Sequence, residues 1–299
     1  VHQLLFFTIK LLRQKQDVLH LNHDGLMFVA AMVKFFKPEQ KIIIHSRYRW
    51  PNNICARIFS KALIFGSDGI IAISSQVKSS LVRIGVPTCL IEVHHNSTHY
   101  ASGSRQLKCN PLKGSVPRLL FLGSLNTVKN PHGMIELDKE LGKLNLLNEI
   151  VICGDAPRRK SLTKNLDRDK LELINYQRKR RGEGFCYAGQ VKTPEDEIKK
   201  SHFLIRPSLQ NDPWGRDIIE AMSLSRVVIA TGECSDFIIN GENGFLIGHW
   251  DAAVAAQIIF DLCKNPAEYE RVCYRARATA RKLFSPEIAA EKFTKLVST

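Results

Sequence analysis

Ten short runs of β-branched and aliphatic residues recur along the chain, and amphipathic stretches separate them. The runs are Val18–Leu21, Ile42–His45, Gly69–Ser74, Leu90–His94, Leu119–Gly123, Ile150–Gly154, Phe185–Gly189, Phe203–Arg206, Val227–Thr231 and Phe245–Ile247. Most are continuously apolar, the pattern of strands buried on both faces. The intervening segments, such as Asn53–Ile64, Pro131–Leu144 and Gly215–Leu224, carry helical periodicity. This alternation predicts an α/β fold of parallel sheets with helices on both sides. A chain of 299 residues is long enough for two such cores.

Residues 104–117 break the rhythm, being rich in Ser, Gly, Lys and Pro without a period, and read as a linker. The expected organisation is a Rossmann-like domain over 1–103, a second one over 118–284, and a closing helix over 285–299 started by Ser285 and Pro286. The first domain offers only about four strands, fewer than a full doubly wound sheet, so it is expected to be incomplete at its N-terminus. The eight cysteines are scattered with no Cys-x-x-Cys pair, which argues against zinc and fits a reducing cytoplasm. No apolar run is long enough to span a bilayer.

Lys and Arg number 43 against 29 Asp and Glu, a formal net charge of +14. Such a balance favours anionic partners: a phosphorylated substrate, an anionic membrane surface or a nucleic acid. The cations are dispersed apart from Arg178–Arg181, and no nucleic-acid module is recognisable, so nucleic acid is not expected as a partner.

The richest stretch for chemistry runs from Arg206 to Met222. A strand ends at Arg206, a Pro-containing loop follows, and a helix starts near Gly215. Loops at the carboxyl ends of parallel strands bind ligands in open α/β sheets. A helix start points free N–H groups at its guest, and a diphosphate suits them. Asp212 lies in the loop and Glu220 in the second helical turn, where each can grip a pair of hydroxyls. Glu220 is flanked by Ile218, Ile219, Ala221 and Met222, which predicts partial burial. Upstream, Gly123 ends a strand and Lys129-Asn130-Pro131 opens a helix, with Asn130 read as its N-cap and Pro131 as its first residue. A lysine there is placed to neutralise a departing phosphate.

The stretch from Pro207 to Glu220 resembles the donor-binding motif of family 4 of the GT-B glycosyltransferases, also called glycosyl transferases group 1. The family pattern is Pro-Ser, an acid, Pro, an aromatic, Gly, and a Glu eight positions after the first acid; Asp212, Pro213, Trp214, Gly215 and Glu220 match it. Leu119–Asn130, Ile150–Asp155, Phe185–Val191 and Ala230–Ile247 agree in order, and the resemblance covers about Arg118–Leu283. There are two departures. The first acid is Asp212 where the family has Glu, and Ser124 stands where the family has an Arg after the glycine.

The resemblance implies a retaining transfer of a sugar from a nucleotide-sugar donor to a glycan or lipid-linked acceptor, in cell-surface polysaccharide or lipopolysaccharide synthesis. It implies no cofactor and no bound metal. Asp212 and the backbone at Trp214, Gly215 and Arg216 would hold the sugar, and Glu220 the ribose. The main chain near Val191 would meet the base, with Gly123 and Lys129 at the diphosphate. Arg206 or Arg216 would replace the missing arginine. His45, at the end of the second strand run, would lie near the reacting sugar, with His20 and His23 lining the same cleft. Alternatives are a nucleotide-sugar epimerase of the same fold and a non-catalytic nucleotide-sugar-binding module. With the basic balance, the expected location is the cytoplasm, peripheral at the inner face of the membrane.

Overall fold

A computed structural model describes residues 2–102, 108–155, 163–181, 183–210 and 215–298, with backbone only for 2–5 and 163–169. The chain divides into two compact units, one of Val1–Asn96 with Glu287–Thr299 and one of Ser97–Pro286. All ten expected strands form, each within about two residues of the apolar run that announced it.

The first unit contains α1 (His2–Arg13), β1 (Val18–Leu21), α2 (Met27–Phe36), β2 (Lys41–Ser46), α3 (Ile54–Gly66), β3 (Gly69–Ala72), α4 (Ser75–Arg83) and β4 (Ile91–Val93). Its four strands form a parallel sheet in the order β1-β2-β3-β4. Ile42, Ile43 and Ile44 are fully buried, as a central parallel strand requires. Asn53 caps α3 by accepting from the Ala56 amide at 2.8 Å. Gly66, at the end of α3, packs so closely on Ala30 and Ala31 of α2 that a Cβ there would meet the Ala31 nitrogen at 2.7 Å. The last helix of the chain (Pro286–Ser298) groups with this unit, and its Leu296 lies over Gly69 in a cluster with Ile43 and Ile71.

The second unit contains β5 (Arg118–Leu122), α5 (Gly133–Lys143), β6 (Glu149–Cys153), α6 (Thr163–Lys179), β7 (Phe185–Gly189), α7 (Pro194–Lys200), β8 (Phe203–Arg206), α8 (Arg216–Ser223), β9 (Val227–Thr231), β10 (Phe245–Ile247), α9 (Ala252–Lys264) and α10 (Pro266–Phe284). The six strands are parallel in the order β10-β9-β8-β5-β6-β7. Alternate residues serve opposite faces. Leu119 and Phe121 join one core with Ile150, Ile152, Phe203 and Ile229, while Leu120 and Leu122 join another with Val151, Leu204 and Val228. A strand buried on both faces has no polar side, which is why its sequence reads as one apolar run.

From Lys108 onward the segment read as a linker is anchored to the second unit. Leu112 is buried in its core, and the Asn110 side-chain amide donates to the Lys199 and Ser201 carbonyls at 2.8 and 2.9 Å. One expectation is corrected. Asn130 is not the N-cap of α5 and Pro131 is not its first residue, because α5 starts at Gly133 with His132 preceding it. Asn130 instead adopts a left-handed conformation, φ 51°, in a turn closed by the Gly133 amide on the Asn130 carbonyl at 3.0 Å. An N-cap needs extended backbone, whereas asparagine tolerates the left-handed region, and here the turn prevails.

The basic run Arg178–Arg181 lies exposed at the end of α6, where Arg180 Nε sits 3.2 Å from the buried Asp138 carboxylate. Cys153 is buried in β6, and burial pushes its thiol up to about 12, the behaviour of an inert core cysteine.

Candidate active site

The strand order places a topological switch point between β5 and β8. The chain leaves β5 towards β6 and β7, then returns to the other side of β5 for β8, β9 and β10. Connections therefore diverge above the carboxyl ends of β5 and β8, the place where open α/β sheets bind ligands. The loop after β5 carries Gly123 and Lys129, and the loop after β8 leads to Gly215. The Val128 carbonyl holds the two together, accepting from the Leu209 amide and the Ser208 hydroxyl, both at 2.9 Å.

Gly123 is needed for its backbone conformation. Its φ is 156°, and a Cβ there would touch the Lys129 side chain at 3.8 Å. On the other side, a Cβ at Gly154, φ 147°, would collide with the Gly123 carbonyl oxygen. The two loops thus cross at backbone contact, and the Gly123 amide donates to the Cys153 carbonyl at 3.0 Å. Lys129 is half-buried with its stem over Gly123, and its amide donates to Asn126 Oδ1 at 2.8 Å. Asn126 Nδ2 in turn donates to the hydroxyl of Ser124, the residue that replaces the family arginine, at 3.0 Å.

Arg206 ends β8 almost fully buried, and its Nη1 donates to Asp217 Oδ1 at 2.8 Å. Asp217 is in the first turn of α8, where a carboxylate also complements the helix dipole. Gly215 precedes α8 in extended conformation, and a Cβ there would collide with Arg206 Nη1 and Asp217 Oδ1. The arginine expected as a substitute phosphate clamp therefore holds the start of α8. Arg216 is mostly exposed, and its Nη2 lies 3.2 Å from Glu220 Oε1.

Glu220 is half-buried, as its apolar neighbours predict, and burial raises its pKa against the opposing pull of Arg216. Val191 follows β7, partly buried against the core beneath the sheet. Asp212 and Trp214 lie outside the described residues.

The first unit has its own polar cluster at the carboxyl ends of its strands. His45 is buried near the end of β2 and stacks with His20 at 5.8 Å between ring centroids. Burial, then Arg47, His20 and His94, push its pKa down to about 3, so the ring is neutral. Its Nε2 is buried with no hydrogen-bond partner among the described residues. Asp24, buried beside this strand end, accepts from the Ser46 hydroxyl at 2.7 Å and the Trp50 indole at 3.0 Å. His23 is largely exposed and its Nδ1 accepts from the Gly25 amide at 2.8 Å.

Three polar residues with structural partners escape a reading of the sequence. Asp217 looks like an ordinary first-turn acid, and its pairing needs the β8–α8 geometry. Asp24 looks like a helix cap. Asn243 looks like half of an Asn-Gly turn, yet it is buried and bonds the Ile239 amide, the Phe237 carbonyl and the Thr279 hydroxyl, at 2.7, 2.9 and 2.9 Å. Among the described residues, no group of three His, Cys, Asp or Glu side chains could hold a metal ion.

The model of the family described as glycosyl transferases group 1 matches residues 105–279, more than half of the chain. No curated protein sequence matches it. Among solved structures, the chain is similar to HepE of Anabaena in complex with UDP, at 16% identity and a TM-score of 0.80, covering 100% of this chain and 82% of that one. It is also similar to a glycosyltransferase from Rickettsia africae, at 19% identity and TM-score 0.76, covering 99% and 80%. Sucrose-phosphate synthase from Thermosynechococcus elongatus aligns at 18% identity and TM-score 0.77, covering 98% and 76%. The fold is thus GT-B, built from two Rossmann-like units.

Proposed function

The chain belongs to the glycosyl transferases group 1 family, and from that premise we propose that this glycosyltransferase moves a sugar from a nucleotide-sugar donor to a glycan or lipid-linked acceptor with retention of anomeric configuration. The observation that carries the reading is the β5–β8 switch point, whose two loops share the Val128 carbonyl, with Lys129 in the loop after β5 and the start of α8 at the end of the loop after β8. The solved complexes of HepE with UDP and with UDP-glucose support a uridine nucleotide as the first donor class to try.

In this reading the donor diphosphate lies beside Lys129 and the amides that begin α8. Glu220 accepts from the ribose hydroxyls, and Asp212 with the backbone at Trp214–Arg216 holds the sugar. Main chain near Val191 meets the base. As the anomeric C–O bond breaks, negative charge grows on the departing diphosphate and Lys129 neutralises it. The acceptor hydroxyl gives its proton to a leaving phosphate oxygen as its own oxygen bonds the anomeric carbon. His45, in the polar cluster of the first unit, is kept neutral by burial. Arg206 supports the site indirectly, through Asp217 and the placement of α8.

The reaction belongs in the cytoplasm, at the inner face of the membrane, in synthesis of a cell-surface polysaccharide or lipopolysaccharide; the +14 charge supports this placement. Incubating the protein with nucleotide-sugars and candidate lipid-linked or oligosaccharide acceptors, then reading the product anomer by NMR, tests the proposal. Transfer with the donor's anomeric configuration supports it; an inverted product, or interconversion of donor sugars without transfer, contradicts it.

A further inference from the structure

In the loop after β5, Asn126 makes hydrogen bonds through its carbonyl and through both ends of its side chain. The carbonyl accepts from the Asn130 amide at 3.1 Å, Oδ1 accepts from the Lys129 amide at 2.8 Å, and Nδ2 donates to the Ser124 hydroxyl at 3.0 Å. The first two bonds close a single helical turn that the asparagine caps with its own side chain. Upstream, the loop is fastened to its neighbour on both sides of Ser124. The Gly123 amide donates to the Cys153 carbonyl at 3.0 Å and the Leu125 amide to the Asp155 carbonyl at 3.1 Å, with the Leu125 side chain fully buried. Ser124, between these anchors, stays partly exposed.

The direction of each bond follows from the chemistry of the groups. A backbone amide only donates, so the end of the Asn126 side chain that faces Lys129 is its oxygen, and the end that faces Ser124 is its NH2 group. That NH2 group only donates, so the Ser124 oxygen accepts. A hydroxyl has one proton, and this bond leaves the Ser124 proton for a different acceptor. None of the described residues takes it. Asn126 therefore acts on two neighbours at once. It turns the Ser124 hydroxyl into a donor directed away from itself, and it holds the backbone of Lys129.

A fixed O–H donor at the carboxyl end of β5 calls for an oxygen acceptor, and a phosphate oxygen is one. Resting on the transferase reading above, we propose that the Ser124 hydroxyl donates to the diphosphate of the nucleotide-sugar, and that Asn126 is the positioning residue that aims this hydroxyl and sets Lys129 beside it. Where the family has an arginine cation, this chain then has a neutral donor whose bond to phosphate is charge-assisted. The bond strengthens as negative charge collects on the leaving group.

Calorimetric titration of the whole chain with UDP, GDP, ADP, CDP and TDP tests the proposal as a double-mutant cycle. Ser124→Ala should weaken binding of the preferred nucleoside diphosphate about tenfold, the scale of one hydrogen bond to a charged group, with the Tm of the unliganded protein little changed. Asn126→Asp keeps an oxygen for the Lys129 amide but has no proton for Ser124, so the hydroxyl turns to donate to the new carboxylate. The added charge itself repels a diphosphate, and the informative quantity is the coupling. Ser124→Ala should cost about tenfold beside Asn126 and less than about twofold beside the aspartate. Undiminished binding by Ser124→Ala, or an equal loss in the two backgrounds, overturns the proposal. Binding by the wild type that Glu220→Gln still weakens would leave the transferase reading standing in that case. No binding of any of these nucleoside diphosphates by the wild type removes both.

Discussion

The guanidinium of Arg206 at the end of β8 and the carboxylate of Asp217 in the first turn of α8 form an ion pair at 2.8 Å, with side chains only 4% and 14% exposed. The pair fixes where α8 begins, and Gly215 is the residue that leaves room for it. Breaking a buried pair from one side strands the other charge, which costs about 3–5 kcal/mol. Asp217→Ala should destabilise the protein by about that amount in urea unfolding, and Gly215→Ala should also destabilise it, because the new methyl group would displace the same guanidinium. Wild-type stability in both variants would show that the pair does not hold the helix.

Glu220 is expected to act as a carboxylate on the donor ribose. A hydrogen bond to a charged group contributes about 1.5–3 kcal/mol, so Glu220→Gln should fold normally and lose donor affinity of that order. Burial raises the Glu220 pKa, and the carboxylate is the accepting form. Donor affinity should therefore decline as pH falls through that raised pKa, and the decline should vanish in Glu220→Gln. Calorimetric titration at several pH values measures both effects; equal affinity in the two proteins removes Glu220 from the site.

Lys129 is expected to matter more to turnover than to binding, since the charge it meets develops as the bond breaks. Lys129→Ala should lower kcat by about 10²–10³, the scale seen when one donor to a developing anion is removed, with a smaller change in KM. Arg216→Ala should lower kcat in the same way if the exposed Arg216 supplies the charge that Ser124 lacks. Steady-state kinetics with a saturating acceptor separates these effects.

His45 links stability to pH. Its folded pKa of about 3 lies below the ordinary histidine value, so the unfolded chain binds more protons across the interval between them. Stability should accordingly hold above about pH 6.5 and fall as pH drops from there towards 3, by up to about 1.4 kcal/mol per pH unit from this group. Burial lowers the His20 pKa too and adds in the same direction. His45→Gln should flatten the profile, and an unchanged slope in denaturant unfolding at pH 5 and pH 7.5 would contradict the assignment.

The strands were legible because parallel strands covered on both faces must be apolar throughout, as in Ile42–Ile44 and Val227–Ala230. The backbone of the loops after β5 and β8 was legible from Gly123 and Gly215, since the local geometry demands residues without a Cβ there. What escaped depends on distance along the chain. Nothing in a linear reading couples Arg206 to Asp217, or Asn243 to Thr279. Asn130 misled because asparagine suits both a helix cap and a left-handed turn, and only the contacts of the loop decide between them.

A nucleoside-diphosphate site at the β5–β8 switch point is the central claim, and thermal unfolding with and without ligand tests it most directly. A ligand that binds only the folded state stabilises it by mass action, by about 2.7 kcal/mol at a hundredfold excess over its dissociation constant. Titrating UDP and other nucleoside diphosphates should raise the Tm of the wild-type protein for at least one base, and that shift should be much smaller in Glu220→Gln. No shift with any nucleoside diphosphate or nucleotide-sugar, or an equal shift in the Glu220 variant, would contradict the site described.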